Sequence, residues 1–496
     1  MKRALLVGMG LVLVGGVVAP VVPPLGVQSA AADSRAAMPF DFDGDGYADL
    51  AVGVPGENLR GKRNPGAVQV LYGSASGVTA HDQLWHQGRK GVKGALEKGD
   101  RFGAVQASGD FDADGYADLA IAIPEENIGT KRDTGAVQVL YGSPTGLTAA
   151  GDQVWHQRSK GVPGGNGRVD RFGSSLAVGD FDADGYADLA VGVPGEDFGD
   201  AFEAGRVVML RGSASGLTSA RAQSWGEGSA GVASKPRRYE HFGRVIAAGD
   251  VNADGRDDLA ISVGQVGDSS VHLLLGSPTG LTASGAQFFS LGDLGLGEYG
   301  ATGAVASLWL GDVNADGHDD LTLGRFRGGV AVLHGHPDGL HPGPLAAPGR
   351  PGTDTIWSGY ESPAVSGDVT GDGYADLILR PDPAPGGVAP VSGSAHEIGI
   401  VIGTSNGLGS EVTLWPNLGL PNALNVLPFS GGTHLWLALG ELGGDSRRGG
   451  SVTVLQGTSA GAPGPATVWH QDSPGIKGAA QANDYFGTTV GGVAWS

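Results

Sequence analysis

Short apolar runs, bounded by Gly, Asp or Pro, recur along most of this chain. "DLAVGVP" (49–55) is followed by "GAVQVLYG" (66–73) and then by "DQLWHQ" (82–87), and the same order returns as "DLAIAIP" (118–124), "GAVQVLYG" (135–142) and "DQVWHQ" (152–157). Runs this short between turn residues predict strands. The alternation in "GAVQVLYG" predicts a strand with two unlike faces. No unit holds an uninterrupted 3.6-residue pattern long enough for a helical solenoid. A Phe-Gly pair at 102–103, 172–173 and 242–243 opens a further strand that ends at Gly-Asp, eight residues after the Phe; the pair returns at 486–487. Each unit therefore reads as four strands, A to D. The strand-C signature recurs seven times, with its glycine at 73, 142, 212, 276, 335, 403 and 457, on average 64 residues apart. Four antiparallel strands repeated radially make a propeller blade, so the expected fold is all-β, a seven-bladed β-propeller.

Between strands A and B lies an acidic segment. "DFDADGYADLA" occurs twice, at 110–120 and 180–190, with relatives starting at 41, 250, 312 and 368. Carboxylates fall at positions 1, 3, 5 and 9, Gly at 6 permits a sharp turn, and the carbonyl of position 7 can add another oxygen. Four carboxylates around one point make six repulsive pairs of ~1–4 kcal/mol each at ~4 Å. That sum rivals the ~5–15 kcal/mol holding a domain together, so a compact loop needs a cation. Hard oxygen ligands in this number select Ca²⁺.

The expected ligands are Asp41, Asp43, Asp45, Tyr47 and Asp49 in loop 1; Asp110, Asp112, Asp114, Tyr116 and Asp118 in loop 2; Asp180, Asp182, Asp184, Tyr186 and Asp188 in loop 3. Loop 4 offers Asp250, Asn252, Asp254, Arg256 and Asp258, loop 5 Asp312, Asn314, Asp316, His318 and Asp320, and loop 6 Asp368, Thr370, Asp372, Tyr374 and Asp376. Asn252, Asn314 and Thr370 replace a carboxylate, so loops 4–6 should bind more weakly. An EF-hand would need Glu at position 12, where Val52, Ile121 or Val191 stands inside an apolar strand. Blade 7 reads "ALGELGGDSRRGG" (438–450) where the loop should be, and no metal is expected there.

Phe-Gly, the Asp-rich loop and "GVPG" together resemble the FG-GAP repeat of integrin alpha-chain β-propellers and their bacterial secreted relatives. The resemblance covers nearly all of residues 38–496, is sharpest in blades 2 and 3, and is weaker in blade 5, which lacks a clear Phe-Gly. It implies an extracellular recognition or adhesion role. Blade 1 begins directly at Asp41, whereas "DYFGTTVGGVAWS" (484–496) carries a Phe-Gly strand with no loop after it. The two fragments complement each other, so the C-terminal segment should supply strand A of blade 1 and close the ring.

Composition narrows the class. There are 91 Gly, 28 Pro and no Cys among 496 residues, which suits many turns and excludes disulfides, zinc thiolates and cysteine nucleophiles. The net charge of −20 argues against nucleic acid. Lys2 and Arg3, an apolar run to about Val22 and "SAAA" at 29–32 read as a secretory signal peptide over 1–32, followed by a short linker, 33–37, and the propeller, 38–496. Pro20, Pro23 and Pro24 weaken a membrane-spanning helix there, and no later segment could span. The mature chain is expected to be a secreted monomer.

Several motifs are discounted. "GTSNG" (403–407) and "GTSAG" (457–461) match a nucleophile elbow, yet they occupy the turn filled by "GSASG" and "GSPTG" elsewhere. "GLGEYG" (295–300) matches a dinucleotide fingerprint without a βαβ unit. The "WHQ" histidines, His86, His156 and His470, read as packing at the blade edge. Lys98-Gly99-Asp100 resembles an integrin-binding tripeptide by chance. Long D–A connections carry Arg89, Lys90, Lys93, Lys98, Arg158, Lys160, Lys235, Arg237 and Arg238, a candidate surface for a protein or an anionic glycan. The alternative reading is an extracellular hydrolase or lyase acting on polysaccharide or lipid on the same scaffold; no catalytic constellation is found in the sequence.

Overall fold

In a computed structural model, residues 37–264, 269–294, 305–325, 329–342, 346–347, 350–351, 360–381, 398–405, 407–415, 423–427, 436–441, 450–456, 464–478, 481, 484, 486–487 and 489–490 are described. The expected signal peptide (1–32), all of the expected linker but its last residue, and the motifs at 295–300 and 457–461 lie outside them. The fold is that of the compact unit 36–496.

Every regular element among the described residues is a β-strand, and no helix there is long and apolar enough to cross a membrane. The strands form seven four-stranded antiparallel sheets and one two-stranded ribbon (Ala346–Ala347 with Arg350–Pro351). In blade 2 the order is Gln106–Gly109, Asp118–Ile123, Ala136–Tyr141 and Thr148–Trp155, strands A to D, each paired with the next. The A strands of successive blades lie side by side: Gln106–Gly109, Ser175–Gly179, Ile246–Gly249, Val305–Gly311, Tyr360–Gly367, Ala423–Leu427 and finally Thr489–Val490. They surround the propeller axis, where Ala107, Ala177, Ala247 and Trp309 line a cavity of about 160 Å³. Blade 5 forms its A strand without a Phe-Gly, so strand pairing survives loss of that motif.

The Phe-Gly pair is a joint between blades. Phe102, Phe172, Phe242 and Phe486 are fully buried. The Phe102 amide donates to the Pro65 carbonyl in the preceding blade (2.9 Å), and Phe172 and Phe242 repeat the bond to Thr134 and Ala204 (2.8 Å each). Phe102 joins one apolar cluster with Val68 and Val70 of blade 1 and Ile121 and Ile123 of blade 2. The glycine is required by space: Gly103 has φ 89°, and a Cβ there would lie 2.5 Å from the Ala67 carbonyl oxygen.

Strand C departs from the two-faced expectation. All six residues of Ala136–Tyr141 are buried, as are all five of Ala67–Leu71. Neighbouring blades cover both faces, so the alternation marks two kinds of buried contact. Gln138 answers its burial by donating from Nε2 to Asp152 Oδ2 on strand D (2.8 Å), and Asp152 also accepts from the Lys93 amide of blade 1 (2.7 Å).

The ring closes as the sequence implies. Val52 and Gly53 of strand B in blade 1 (Leu50–Val54) pair with Val490 and Thr489. Gly487 N donates to Gly53 O (3.1 Å), and Gly56 N donates to Asp484 O (3.1 Å). On the other side the Thr489 hydroxyl donates to Gly103 O (2.9 Å), and Gln106 Nε2 donates to Thr489 Oγ1 (3.0 Å). Deleting residues 484–496 should therefore lower the melting temperature of the whole ring in one cooperative transition; a truncated protein melting like the full chain would refute this closure.

A second joint lies at the end of the sheets opposite the acidic loops. Gln87, after strand D of blade 1, donates from Nε2 to Glu126 Oε2 after strand B of blade 2 (2.7 Å); Gln157 serves Glu196 and Gln471 serves Glu57 in the same way. Burial raises the Glu126 carboxyl to about 7, Asp100 and Glu97 adding repulsion, and burial raises Glu57 likewise to about 7. A carboxyl whose folded pKa is raised contributes stability that is present below its unfolded value of about 4.5 and lost as pH climbs through about 7. Glu126→Gln, which keeps an acceptor for Gln87, should thus raise the melting temperature at pH 8, leave it nearly unchanged at pH 4.5, and flatten the decline between them.

Candidate metal centre

The acidic loop follows strand A and ends on the first residue of strand B, so Asp118 is at once position 9 and the start of Asp118–Ile123. One hydrogen-bond plan serves every copy. In loop 2, Asp110 accepts from the amides of Asp114 (3.1 Å) and Gly115 (3.0 Å), and Asp114 accepts from Tyr116 N (3.0 Å). Asp118 accepts from Phe111 N and from Gly142 N, in the C–D turn just past strand C (2.9 Å each). Ala113 sits at φ 54° and Gly115 at φ 90°, two left-handed residues that curl the chain around the first carboxylate.

Loop 1 repeats the plan with Asp41, Asp45 and Asp49, and loop 3 with Asp180, Asp184 and Asp188. Loop 4 does so with Asp250, Asp254 and Asp258, and loop 5 with Asp312, Asp316 and Asp320. Loop 6 keeps Asp368, Asp372 and Asp376 but shifts one contact: Thr370 N, not Val369 N, donates to Asp376 (3.0 Å).

The side chains converge where the sequence is most acidic. Oxygens of Asp41, Asp43 and Asp45, of Asp110, Asp112 and Asp118, and of Asp180, Asp182 and Asp188 fall within 4.8 Å of one another. In loops 4–6 the Asn252, Asn314 or Thr370 side chain stands where loops 1–3 have their second carboxylate. Tyr47, Tyr116, Tyr186, Arg256, His318 and Tyr374 each donate a backbone N–H to the position-5 aspartate, which turns position 7 toward the loop.

Electrostatically these loops could hold a cation. The position-9 aspartates are fully buried in all six copies. Burial pushes Asp49 and Asp118 up to about 9, Asp188 and Asp258 to about 8, and Asp376 to about 7; Asp320 is also raised. Asp112 is raised to about 6 by burial and by Asp114 and Asp110, and its Oδ1 is buried without a hydrogen-bond partner. Asp182 Oδ1 is orphaned in the same way. At Asp112 the orphaned acceptor fits a hard divalent ion; at Asp182 such an ion would compete with the Arg211 guanidinium, which reaches the same carboxylate.

The loops are also wired to one another. Ala117 N donates to Asp41 O (3.0 Å), Ala187 N to Asp110 O (3.0 Å), Asp257 N to Asp180 O (3.2 Å), Asp319 N to Asp250 O (3.0 Å) and Ala375 N to Asp312 O (3.4 Å). Asp257 and Asp319 add a side-chain acceptor, for Asp180 N (2.7 Å) and Asp250 N (2.8 Å). Sequence reasoning passed over these two as extra acids; they tie one loop to the next.

Arg211 was missed as well. It lies in strand C of blade 3, directly before the repeat glycine, where blades 1 and 2 carry Tyr72 and Tyr141. Those phenols accept from Leu147 N and Leu217 N of the next blade (3.0 and 3.1 Å). The buried Arg211 guanidinium instead reaches Asp182 and lies 3.7 Å from Asp188 Oδ2. In loop 4, Arg256 pairs with Asp254 (2.8 Å). A cation in the strand position facing an acidic loop was the signal available in "RVVMLRGSASG".

The candidate partner residues all lie on D–A connections at the opposite end. Arg89 covers the Trp85 ring (3.8 Å), Lys93 pairs with Asp152 (3.2 Å), Arg237 with Glu240 (2.6 Å), and Arg238 donates to Asp200 O (2.9 Å) over Phe202. Lys90, Lys98, Arg158, Lys160 and Lys235 form no ion pair among the described residues. "GTSNG" proves to be the C–D turn of blade 6, Thr404 pairing with Gly407, and a strand, Gly407–Trp415, follows it where an elbow needs a helix.

The FG-GAP repeat model matches residues 35–71, 102–140, 172–208 and 242–274. The chain is similar to rat phosphatidylinositol-glycan-specific phospholipase D, 35% identical over 162 residues, which cover 33% of this chain and 18% of that protein. Integrin alpha-PS2 of Drosophila melanogaster is 32% identical over 163 residues (32% of this chain, 11% of the relative), and integrin alpha-4 of Xenopus laevis 35% over 173 residues (34% and 14%). The matches thus span less than a fifth of each relative. Among solved structures, the rhamnogalacturonan lyase YesX aligns with 86% of this chain and 79% of its own at 12% identity and a TM-score of 0.43, a likeness that carries no chemistry. With Phe-Gly joints, acidic A–B loops and four-stranded sheets around an axis, the chain carries FG-GAP repeats on a β-propeller fold.

Proposed function

We propose that this is a secreted, calcium-loaded propeller that displays a recognition surface for an extracellular protein or anionic glycan. The observation that carries the reading is the split between its two ends. One end gathers six acidic loops, each cradling a fully buried aspartate. The other presents long D–A connections whose lysines and arginines stand against a net charge of −20. Rigid scaffolds commonly carry binding on such loops. The likeness to integrin alpha chains favours recognition over catalysis, and the turn geometry at 403–407 speaks against a serine nucleophile. The phospholipase D relative keeps a lipid-directed hydrolase as the second reading.

Asp41, Asp43, Asp45, Asp110, Asp112, Asp118, Asp180, Asp182 and Asp188 would hold the ions of loops 1–3, with the position-7 carbonyls completing the oxygen shell. Calcium there cancels carboxylate repulsion and fixes the A–B turn. Loops 4–6 should bind more weakly for want of a carboxylate, and loop 3 should be weakened relative to loop 2 by the Arg211 cation.

Extracellular calcium modules bind at ~10⁻⁴–10⁻³ M, and a site at 100 times its Kd adds ~2.7 kcal/mol. EDTA should therefore lower the melting temperature sharply, and elemental analysis after calcium dialysis should return about six ions, one per acidic loop. An unchanged melt, or fewer than four ions, would sink the calcium reading.

Charge reversal of Lys90, Lys160 and Lys235 together, three exposed cations that form no ion pair among the described residues, should abolish binding to acidic surface glycan while calcium content and melting temperature hold. Retained binding across salt concentrations would reduce the basic end to a solubility feature. A glycan array run beside assays for phosphodiesterase and lyase turnover separates recognition from the enzyme reading.

A further inference from the structure

One blade carries a different kind of chemistry on the acidic-loop end. In blades 1–4 the C–D turn holds three hydroxyls at fixed spacing: Ser74, Ser76 and Thr79; Ser143, Thr145 and Thr148; Ser213, Ser215 and Thr218; Ser277, Thr279 and Thr282. The first two lie 3.0–3.2 Å apart in each turn. In blade 5 the same three slots hold His336, Asp338 and His341. The backbone is unchanged: Gly339 N donates to His336 O (2.8 Å), as Gly280 N does to Ser277 O (2.8 Å), and His336 N is held by Val251 O of the preceding blade (3.0 Å). Leu340 is buried and its amide bonds Gln287 Oε1 (2.7 Å), so the turn is anchored on both sides.

Asp338 Oδ1 stands 2.6 Å from His336 Nδ1 and 2.7 Å from His341 Nε2, and the three ligand atoms lie within 4.8 Å of one another. All three side chains are more than half exposed, which leaves room for water in a further coordination position. The His318 ring stacks on His336 at 6.5 Å, and its Nδ1 is buried without a hydrogen-bond partner.

We propose that His336, Asp338 and His341 form a binding site for an imidazole-preferring divalent transition metal of the zinc type, with His318 flanking it. Two imidazoles and one carboxylate on one turn are ligands for Zn²⁺, with bonds of about 2.0–2.2 Å and an open fourth position. They are a poor set for Ca²⁺, which the all-oxygen loops suit. The site is therefore chemically distinct from loop 5, although His318 belongs to that loop's chain. It requires neither the calcium reading nor the basic-end reading.

The test is Zn²⁺ titration of the full chain in saturating Ca²⁺, read by competition with a chromophoric chelator. The wild type should take up one zinc equivalent that the variant His336→Ser/Asp338→Thr/His341→Thr lacks. That variant restores the trio blades 2 and 4 already carry, so its calcium content and melting temperature should match wild type. A single His341→Ala change, on an exposed side chain, should weaken the equivalent at least tenfold. The ligand field of Co²⁺ gives a second reading: visible d–d absorption of a four-coordinate site in wild type and none in the triple variant. No zinc uptake by wild type, or equal uptake by wild type and the hydroxyl variant, overturns the proposal.

Discussion

The carboxylate at position 9 of each acidic loop is the constraint on which the blades depend. It has no exposed surface, and its two oxygens bind backbone amides from different elements: Asp118 takes Phe111 N from the loop's start and Gly142 N from the C–D turn. One side chain thereby sets where strand B begins, how the loop closes and where strand C stops. Isolated in an apolar interior such a group would be neutral, and burial, with Asp112 and Asp110 adding repulsion against the two amide bonds, moves Asp118 to about 9. A cation bound beside it would return it to the charged form and turn a desolvation cost into an attraction. Structure and the proposed metal chemistry would in this sense be one feature, since the acids that hold the loop are the acids that would meet the ion.

From the loops the constraint spreads sideways. Position-8 amides bond to the position-1 carbonyl of the preceding loop from blade 2 to blade 6, and Asp257 and Asp319 strengthen two of these links. At the other end, buried Gln–Glu pairs perform the same office between blades 1 and 2, 2 and 3, and 7 and 1. Between the two ends sits the Phe-Gly joint, its phenyl ring shared by two blades. Each blade is therefore completed by its neighbours, as repeat architectures require.

Much of this could be read from residues. Spacing gave the strands, the acidic loop and the complementary fragments at either end of the chain, because period-2 runs, Gly positions and Asp spacing are local signals. What escaped were contacts made across blades. The alternation in "GAVQVLYG" is silent about a second covering sheet; only the stacking of blades buries Gln69 and Gln138. Within blade 3 the fold also turns Arg211 from strand C onto Asp182 and Asp188, a contact between elements that local patterns do not carry. Asp257 and Asp319 look like surplus acids because their partners lie 77 and 69 residues away. The His336, Asp338 and His341 trio could have been found by comparing the C–D turns slot by slot, since each replaces a hydroxyl at an aligned position.

The seam in blade 1 has a kinetic consequence. Strand B at Leu50–Val54 finds its inner partner at Thr489–Val490, and Gln481 meets Glu57 across 424 residues of chain. Loop-closure entropy grows slowly with length, but such a contact forms only after nearly everything between is in place. Until then an apolar strand stands with an open edge, the situation in which chains pair with the wrong partner. Blade 1 is thus the first to emerge in sequence and the last to be completed. The search for its missing strand is the step at which this chain most needs dilution, time or a chaperone.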